Sequence, residues 1–576
     1  MKVRICLVCI INRDFGKGIV NDCTEYMIRK CIPHKYNDDY IITRYNIKRD
    51  DQYTITHSDM VIFAGAELLD SKEKTEFAPY ISKITQWADN AGVPVCFCPQ
   101  GEEKAADSSF FSDAIYEGGL NTKSRTIGLS ITRPGLFEEN GYSEITKEVQ
   151  VKFWTDAINA IEEKGYKWKL FTIGDNNDYK FAKEILKKLK KDNSKNKYLF
   201  PRTASSQELA DMVSSFRGII AGRMHINIMA ACFGIPFVGY GWNAEMCKYY
   251  DYIGARDRYI TPEELDGKAA VDMICEVIES RAKRLPGMSN RKDLLKPLKC
   301  FIRDSLKNRK EDNSRSSADW TSSLMATALG TIDNQYFNMN NKEAFRRAQK
   351  EGFVNFEADI RLTADNKLVC VDGWSKDTYS RMGIKAKDGK YPALTTQEYF
   401  CSFYYDGHFN VLDFAVFAGM AQYEKIDILV LDIGKPSAKG AKKLLKLVNR
   451  DMTSLELRKK SYIRVASMEV LKLCRELTPD CMVMYHIPPI AEREEKAIDY
   501  RQICDELKAE GVEYVSFTRT ESVFSDEATD YFKEKGFKLC IFSCNTYEQI
   551  KLAREKKFDL IGTSFCKISE ANEYLA

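Results

Sequence analysis

The sequence predicts an α/β chain: two doubly wound lobes followed by a closed (β/α)8 barrel. Three observations carry that expectation. Short apolar runs alternate with helical stretches through about residue 280, the pattern of parallel sheets covered by helices on both faces. The pattern restarts near residue 126, which divides that half into two lobes with a cleft expected between them. From Leu324 onward about eight further apolar runs fall within about 255 residues, the count and length of a closed parallel barrel.

In the first lobe, residues 3–11 read as a buried strand. A glycine-bearing turn at Phe15-Gly-Lys-Gly18 follows, then a helix from about Ile19 to Cys31. Residues 58–65 form a strand ending in small residues, and 93–98 another. In the second lobe the expected elements are a strand at 126–130, a helix near 146–164 and a strand at 168–174. Ser205-Ser-Gln-Glu208 is a capping box, in which Ser205 and Glu208 would satisfy reciprocal N–H groups of a helix ending near Phe216. Residues 217–222 are a short apolar strand, 226–233 a helix stopped by Gly234, and 235–240 the next strand. Residues 281–318 are charged and poor in strand formers, and read as a charged helix and linker. The expected division is therefore 1–125, 126–280, the connecting segment 281–318, and a barrel over 319–576. Its strands are expected at 324–330, 354–360, 368–372, 428–434, 482–487, 514–518, 539–543 and 560–564. The stretch from Lys376 to about Lys425 is too long for one connection and reads as an insertion over one end.

The 86 basic and 83 acidic residues leave a formal charge of +3, so no global field draws nucleic acid or an anionic membrane. An apolar share of 44% suits packed domains rather than disorder. Eighteen cysteines are scattered, several inside strand-like runs, which points to buried thiols in a reducing compartment and a cytoplasmic protein. No segment approaches the length of a membrane span, and the first apolar run is too short for a signal peptide; peripheral membrane contact stays open.

Gly222-Arg-Met-His225 is the sharpest chemical signal in the first half. It places a cation and an imidazole at the carboxyl end of a strand and the amino end of a helix, where open α/β sheets collect anions. Histidine is scarce, occurring only at 34, 57, 225, 408 and 486. Residues two apart do not share a helix face, so Arg223 and His225 reach one ligand only if Arg223 lies in the preceding turn.

The stretch Glu208 to Tyr240, with Arg223-Met-His225 ahead of a helix and Gly234-Ile-Pro236 opening a strand, resembles the signature region of polysaccharide pyruvyl transferases. Ser58 to Ala66, Ile127-Gly-Leu-Ser-Ile-Thr-Arg133 and Gly16-Lys-Gly18 extend the likeness over most of residues 1–250. Met224 stands where the family has leucine, and Gly16-Lys-Gly18 where it tends towards a Gly-Asp pair. The resemblance implies two Rossmann-like lobes of GT-B type. It also implies transfer of a pyruvyl group from phosphoenolpyruvate to sugar hydroxyls as a ketal, with no redox cofactor. The acceptor would be a surface polysaccharide or its precursor. Under this resemblance His225 is the general acid and Arg223 its catalytic partner. Arg133, Gly222 and Gly65 would contact the donor, whose carboxylate and phosphate suit planar guanidinium groups. Tyr240 and Trp242 are candidates to stack on a sugar, while Arg202 reads as a surface residue. Two other readings stay open: a nucleotide-sugar glycosyltransferase of GT-B type, with Glu245 as ribose carboxylate, and a non-catalytic protein that binds glycan phosphates.

The second half resembles glycerophosphodiester phosphodiesterases over about residues 325–565. The carriers are Ala328-Leu-Gly-Thr-Ile-Asp333, Asn340 to Phe345, Gly352 to Asp365 and Asp432-Ile-Gly-Lys435. Glu357 and Asp359 lie two apart on a strand and project to one side. With Asp432 at the end of another strand, the resemblance implies an oxygen-rich site for Ca²⁺ or Mg²⁺. The family's two catalytic histidines are missing, with Thr327 and Asp372 in their places. The barrel is therefore expected to be an inactive phosphodiesterase that keeps a binding role.

Overall fold

The computed structural model describes residues 2–11, 15–36, 39–65, 76–99, 107–203, 205–242, 244–280, 285, 288, 291–307, 319–332, 336–384, 395–405, 408–520 and 522–575. Ala66, Asp333 and the side chain of Glu245 lie outside that set. The chain divides into two compact units, Met1–Glu311 and Asp312–Ala576.

Unit 1 holds two parallel sheets. Strands β1 (Val3–Cys9), β2 (Tyr40–Asn46), β3 (Met60–Ala64) and β4 (Val95–Cys98) stand in the order 2-1-3-4. Strands β5 (Thr126–Ser130), β6 (Lys167–Phe171), β7 (Gly218–Ala221), β8 (Phe237–Tyr240) and β9 (Tyr259–Ile260) stand in the order 6-5-7-8-9. Both faces of the sheets are apolar, as helices on either side require. Val3, Ile5 and Leu7 of β1 enter one core while Cys6 and Val8 enter another. Ile219 and Ala221 of β7 are likewise parted from Ile220.

The core that takes Val3, Ile5 and Leu7 also takes Phe171, Ile219 and Phe237. The helices Phe15–Cys31, Met224–Cys232 and Leu295–Lys307 contribute to it. The two sheets thus share a packed core on this side, where the restart of the repeat predicts separate lobes with an open cleft. The first helix starts at Phe15 rather than near Ile19, so its glycines are not a turn. A Cβ on Gly18 would come within 2.8 Å of Ser206 Oγ, and the Phe15 N–H donates to the Ile173 carbonyl at 3.0 Å. That helix start is therefore pressed against the segment after β6 and the start of the helix Ser206–Ser214. Within the segment 281–318, Leu295–Lys307 is a helix that buries Leu298 and Ile302, and Cys31 Sγ donates to its Leu295 carbonyl.

Unit 2 contains β10 (Leu324–Ala326), β11 (Asn355–Leu362), β12 (Leu368–Cys370) and the two-residue strands β13 (Tyr404–Tyr405), β14 (Phe409–Asn410) and β15 (Leu412–Asp413). It continues with β16 (Ile428–Asp432), β17 (Ser461–Val465), β18 (Met482–His486), β19 (Tyr514–Thr518), β20 (Lys538–Phe542) and β21 (Leu560–Thr563). β10, β11 and β16 to β21 pair in parallel, and β10 bonds to both β11 and β21, which closes an eight-stranded barrel. One expected strand is replaced. Residues 368–372 supply β12, which is antiparallel to β11 and outside the barrel. The missing stave is β17, Ser461-Tyr-Ile-Arg-Val465, whose serine and arginine break up its apolar run. Among the described residues no helix is long and apolar enough to cross a membrane.

Candidate functional site

The Gly222-Arg-Met-His225 run sits where the sequence places it. β7 ends at Ala221, Arg223 caps the helix Met224–Cys232 with extended backbone (φ −98°, ψ 120°), and His225 lies in its first turn. Asn227, fully buried, ties the bend by donating to the carbonyls of Ala221 (3.0 Å) and Arg223 (3.2 Å). Gly222 is required by a close approach: a Cβ there would lie 2.5 Å from the Tyr240 ring. Arg223 therefore stands in the turn before the helix, the condition under which it and His225 can address one ligand.

Each of the two residues meets a carboxylate that the sequence reading did not single out. Arg223 donates Nε (3.1 Å) and Nη2 (2.7 Å) to Asp178 Oδ2, and Nη2 also reaches Oδ1 (2.9 Å). Asp178 lies in the first turn of the helix Asn176–Lys188, capped by Asp175. Burial pushes the Asp178 carboxyl up to about 6, against the pull of the Arg223 guanidinium. His225 Nε2 lies 3.7 Å from Asp107 Oδ2, longer than a hydrogen bond, and the contact is an ion pair only when the imidazole is protonated. Asp107 is buried and caps the short helix Ser108–Ala114, accepting from Ser109 N–H at 2.7 Å. Burial pushes its carboxyl up, but the His225 imidazole and the Ser109 bonds outweigh that and hold it below the ordinary range. Asp107 follows β4 of the first sheet and His225 follows β7 of the second, so this pair spans both sheets of unit 1. A local signal existed for each acid: both stand at helix starts, Asp107 before Ser108-Ser109 and Asp178 after Asp175. Neither signal names the partner, which lies 118 residues away for Asp107 (225 minus 107) and 45 for Asp178.

The other expected contacts are placed differently. Arg133 reaches the same acid only through its backbone, its N–H donating to Asp178 Oδ1 at 2.8 Å, while its guanidinium forks onto Glu139 at 2.6 Å. Gly65 closes β3 in the left-handed region (φ +101°), and its N–H is spent on the Cys98 carbonyl. Tyr240 is no platform for a sugar: it is 2% exposed and packed among Phe137, Phe153 and Trp154. Its hydroxyl meets Thr132 Oγ1 at 2.9 Å. Trp242 is half-buried and donates to the Gly222 carbonyl at 2.6 Å, bracing the bend. Arg202 is half-buried and tied down at the surface, donating Nε (2.9 Å) and Nη2 (2.5 Å) to the carbonyl of Gly174 in the segment after β6.

In the barrel, Glu357, Asp359 and Asp432 are buried and bring carboxylate oxygens within 4.8 Å of one another. Such a donor set suits a hard divalent cation. The barrel's own cations compete for the same oxygens. Arg464, from the stave hidden in the sequence, donates Nη2 to Asp432 Oδ2, and Arg361 Nη1 stands 3.2 Å from Asp432 Oδ1. Arg361 also faces Asp359 at 3.4 Å, and Asn340 donates to that carboxylate at 2.9 Å. Burial and the Asp359 charge push Glu357 up to about 8, although the Ala328 N–H donates to it at 2.7 Å. Ala328 and Leu329 make that turn in the left-handed region (φ +48° and +61°), a strained conformation for residues with a Cβ. Thr327 and Ser564 share a hydroxyl contact at 2.8 Å. Partial burial and the Asp359 charge raise the Asp372 carboxyl. His486, at the end of β18, is pushed down to about 4 by burial and by Arg464 and Lys435, so it is neutral near pH 7.

Residues 103–243 match the family model of polysaccharide pyruvyl transferases. The matched span contains Asp107, Arg133, Asp178, Gly222, Arg223 and His225. No curated protein matches the chain. Among solved structures the chain is similar to a glycerophosphodiester phosphodiesterase from Parabacteroides distasonis, at 15% identity and a TM-score of 0.34 over 44% of this chain and 97% of that one. It is also similar to one from Thermotoga maritima, at 18% identity and a TM-score of 0.31 over 44% and 96%. A third, from Agrobacterium tumefaciens, has 12% identity and a TM-score of 0.32 over 44% and 99%.

Proposed function

We propose that unit 1 is a pyruvyl transferase that moves the three-carbon group of phosphoenolpyruvate onto a sugar of a surface polysaccharide or its precursor, in the cytoplasm. One observation carries this reading: the span matched by the family holds both members of the His225–Asp107 and Arg223–Asp178 pairs. In the reaction the donor's methylene carbon takes a proton and becomes a methyl group. A sugar hydroxyl oxygen bonds to the central carbon, phosphate leaves with the electrons of its C–O bond, and a second hydroxyl closes the ketal. Of the two hydroxyl protons, one balances the methyl group and the other leaves with phosphate. His225 is the general acid at the methylene carbon, and Asp107 holds its imidazole at the junction of the two sheets. Arg223, fixed by Asp178, presents a planar cation to the donor's carboxylate or phosphate. Gly222 and Gly65 supply backbone at the strand ends, and Arg133 joins the donor only by exchanging Glu139 for it. No redox cofactor takes part.

Labelled phosphoenolpyruvate incubated with a panel of sugar acceptors tests the proposal. Acceptor-dependent phosphate release, lost in His225→Ala, supports it. Consumption of a uridine nucleotide sugar, without phosphate release from phosphoenolpyruvate, would instead make the unit a glycosyltransferase. For the barrel the proposed role is binding: weak Ca²⁺ or Mg²⁺ affinity at Glu357, Asp359 and Asp432, in competition with Arg464, and no phosphodiester hydrolysis. Threonine at 327 cannot protonate a leaving alkoxide near neutral pH.

A further inference from the structure

Unit 1 holds a second buried cation, Arg258, and no described residue serves as its counterion. Arg258 ends the short helix Arg256–Arg258, just ahead of β9, and is 9% exposed. Its Nε has no hydrogen-bond partner, and no carboxylate among the described residues pairs with it. Its one marked contact is with the Phe237 ring, 5.6 Å from the guanidinium carbon. Burying an unmatched guanidinium is costly, so a stable fold either hydrates it or supplies an anion.

The guanidinium borders a cavity of about 360 Å³, also walled by Phe233, Phe237, Leu285, Met288 and Arg291. Among the described residues of that wall the only acid is Asp113, and its charge is already matched: Arg291 forks onto it at 2.5 and 2.9 Å. Arg258 is therefore the excess charge of the cavity, set among aromatic and aliphatic side chains. The volume falls in the range of small-molecule sites, which pair an apolar lining with a few polar anchors. The cavity meets the carboxyl end of the helix Met224–Cys232, opposite the end that carries Arg223 and His225. One length of that nine-residue helix, roughly 13 Å, separates it from the proposed transfer site.

We propose that this cavity binds a small organic oxyanion, a phosphate or carboxylate head held by Arg258 with an aromatic or aliphatic body against Phe233, Phe237 and Leu285. The site does not depend on the transferase reading. Isothermal titration of the full chain with phenyl phosphate, benzoate, inorganic phosphate and phenol tests it. Phenyl phosphate or benzoate is expected to bind measurably, at least tenfold more tightly than inorganic phosphate or neutral phenol. Whichever of the two binds better identifies the head group. Arg258→Gln should lower that affinity at least tenfold. Met288→Glu, which puts an internal carboxylate in the wall, should do the same and decides the matter should Arg258→Gln fail to fold. Equal affinity for phenol and phenyl phosphate, undiminished binding in either folded variant, or no binding of either anion to the unmodified chain would overturn the proposal.

Discussion

The two units place similar ingredients at the carboxyl ends of parallel strands and arrive at different electrostatics. In unit 1 one guanidinium faces one buried carboxylate, Arg223 on Asp178, and one imidazole faces another, His225 on Asp107. Each acid meets one cationic or titratable group, and imidazole as a class moves protons near neutral pH. In the barrel three carboxylates face two guanidinium groups, and His486, at the end of β18, is held neutral by burial and by Arg464. Arg361 and Arg464 supply the positive charge that a cation would bring. A cluster of acids at a strand end is thus only half a description; the cations folded against it decide whether it positions a reacting group or neutralises itself.

Removing the imidazole should have the largest effect on one side of this comparison. His225→Ala is expected to lower transfer by roughly 10²–10⁴-fold with the fold intact, the range for loss of a positioned acid. Phosphate release within threefold of the unmodified protein would take His225 out of the mechanism. Asp178→Ala should cost stability as well as activity. Leaving Arg223 buried without its partner is expected to cost about 3–5 kcal/mol, less whatever solvent recovers at its partly exposed edge. Denaturant unfolding reads this, and a loss below about 1 kcal/mol would mean that Arg223 re-pairs elsewhere.

On the barrel side, Arg464→Met should sharpen the contrast by releasing Asp432 from its nearest guanidinium. Ca²⁺ affinity, proposed above to be weak in the unmodified chain, is expected to rise about tenfold, and to vanish in Glu357→Ala/Asp359→Ala. Calorimetry showing unchanged affinity in Arg464→Met would mean that the arginine does not compete. The pH dependence follows from Glu357. Its folded value, about 8, lies above that of an unfolded glutamate, so the folded state keeps a proton that the unfolded state loses. Its contribution therefore weakens stability as pH rises from the ordinary carboxylate range to about 8 and levels off above that. Cation binding, which needs the ionised form, should tighten over the same window. Melting temperatures of Glu357→Gln should show a shallower decline there, and parallel curves would reject the assignment. The smallest expected signal is phosphodiesterase turnover: none for the unmodified chain, and at most a trace in Thr327→His/Asp372→His. Release of glycerol phosphate by the unmodified protein, abolished by the carboxylate mutations, would make the chain bifunctional.

Much of the architecture was legible because periodicity is local. The strand–helix alternation of unit 1 reads directly from apolar runs, and the bend at Gly222 follows from a strand running into a helix. The closed barrel was expected from its count of strands, but one of those counted was the wrong segment. β12 carries the apolar run yet folds as a hairpin beside β11, whereas β17 hides behind Ser461 and Arg464. The residue that concealed the stave is the one that meets Asp432. The glycines at 16 and 18 failed as a turn because both lie inside a helix, and the need at Gly18 is tertiary: Ser206 Oγ stands 2.8 Å from where a Cβ would go.

The two-part α/β organisation, the position of Arg223 ahead of a helix, and the pairing of Glu357 with Asp359 on one strand all follow from local sequence. Each of these depends on residues within a few positions of one another, where backbone geometry alone sets direction. Which charge faces which is instead a product of long-range packing. Asp107 reaches His225 from the other sheet, Asp178 takes Arg223 and the Arg133 backbone together, and Arg464 crosses to Asp432 from the adjacent stave. Those pairings depend on separations of a few ångströms between segments far apart in the chain. Coulombic attraction and desolvation, which set the chemistry of the sites, vary steeply over such distances and leave no periodic mark on the sequence.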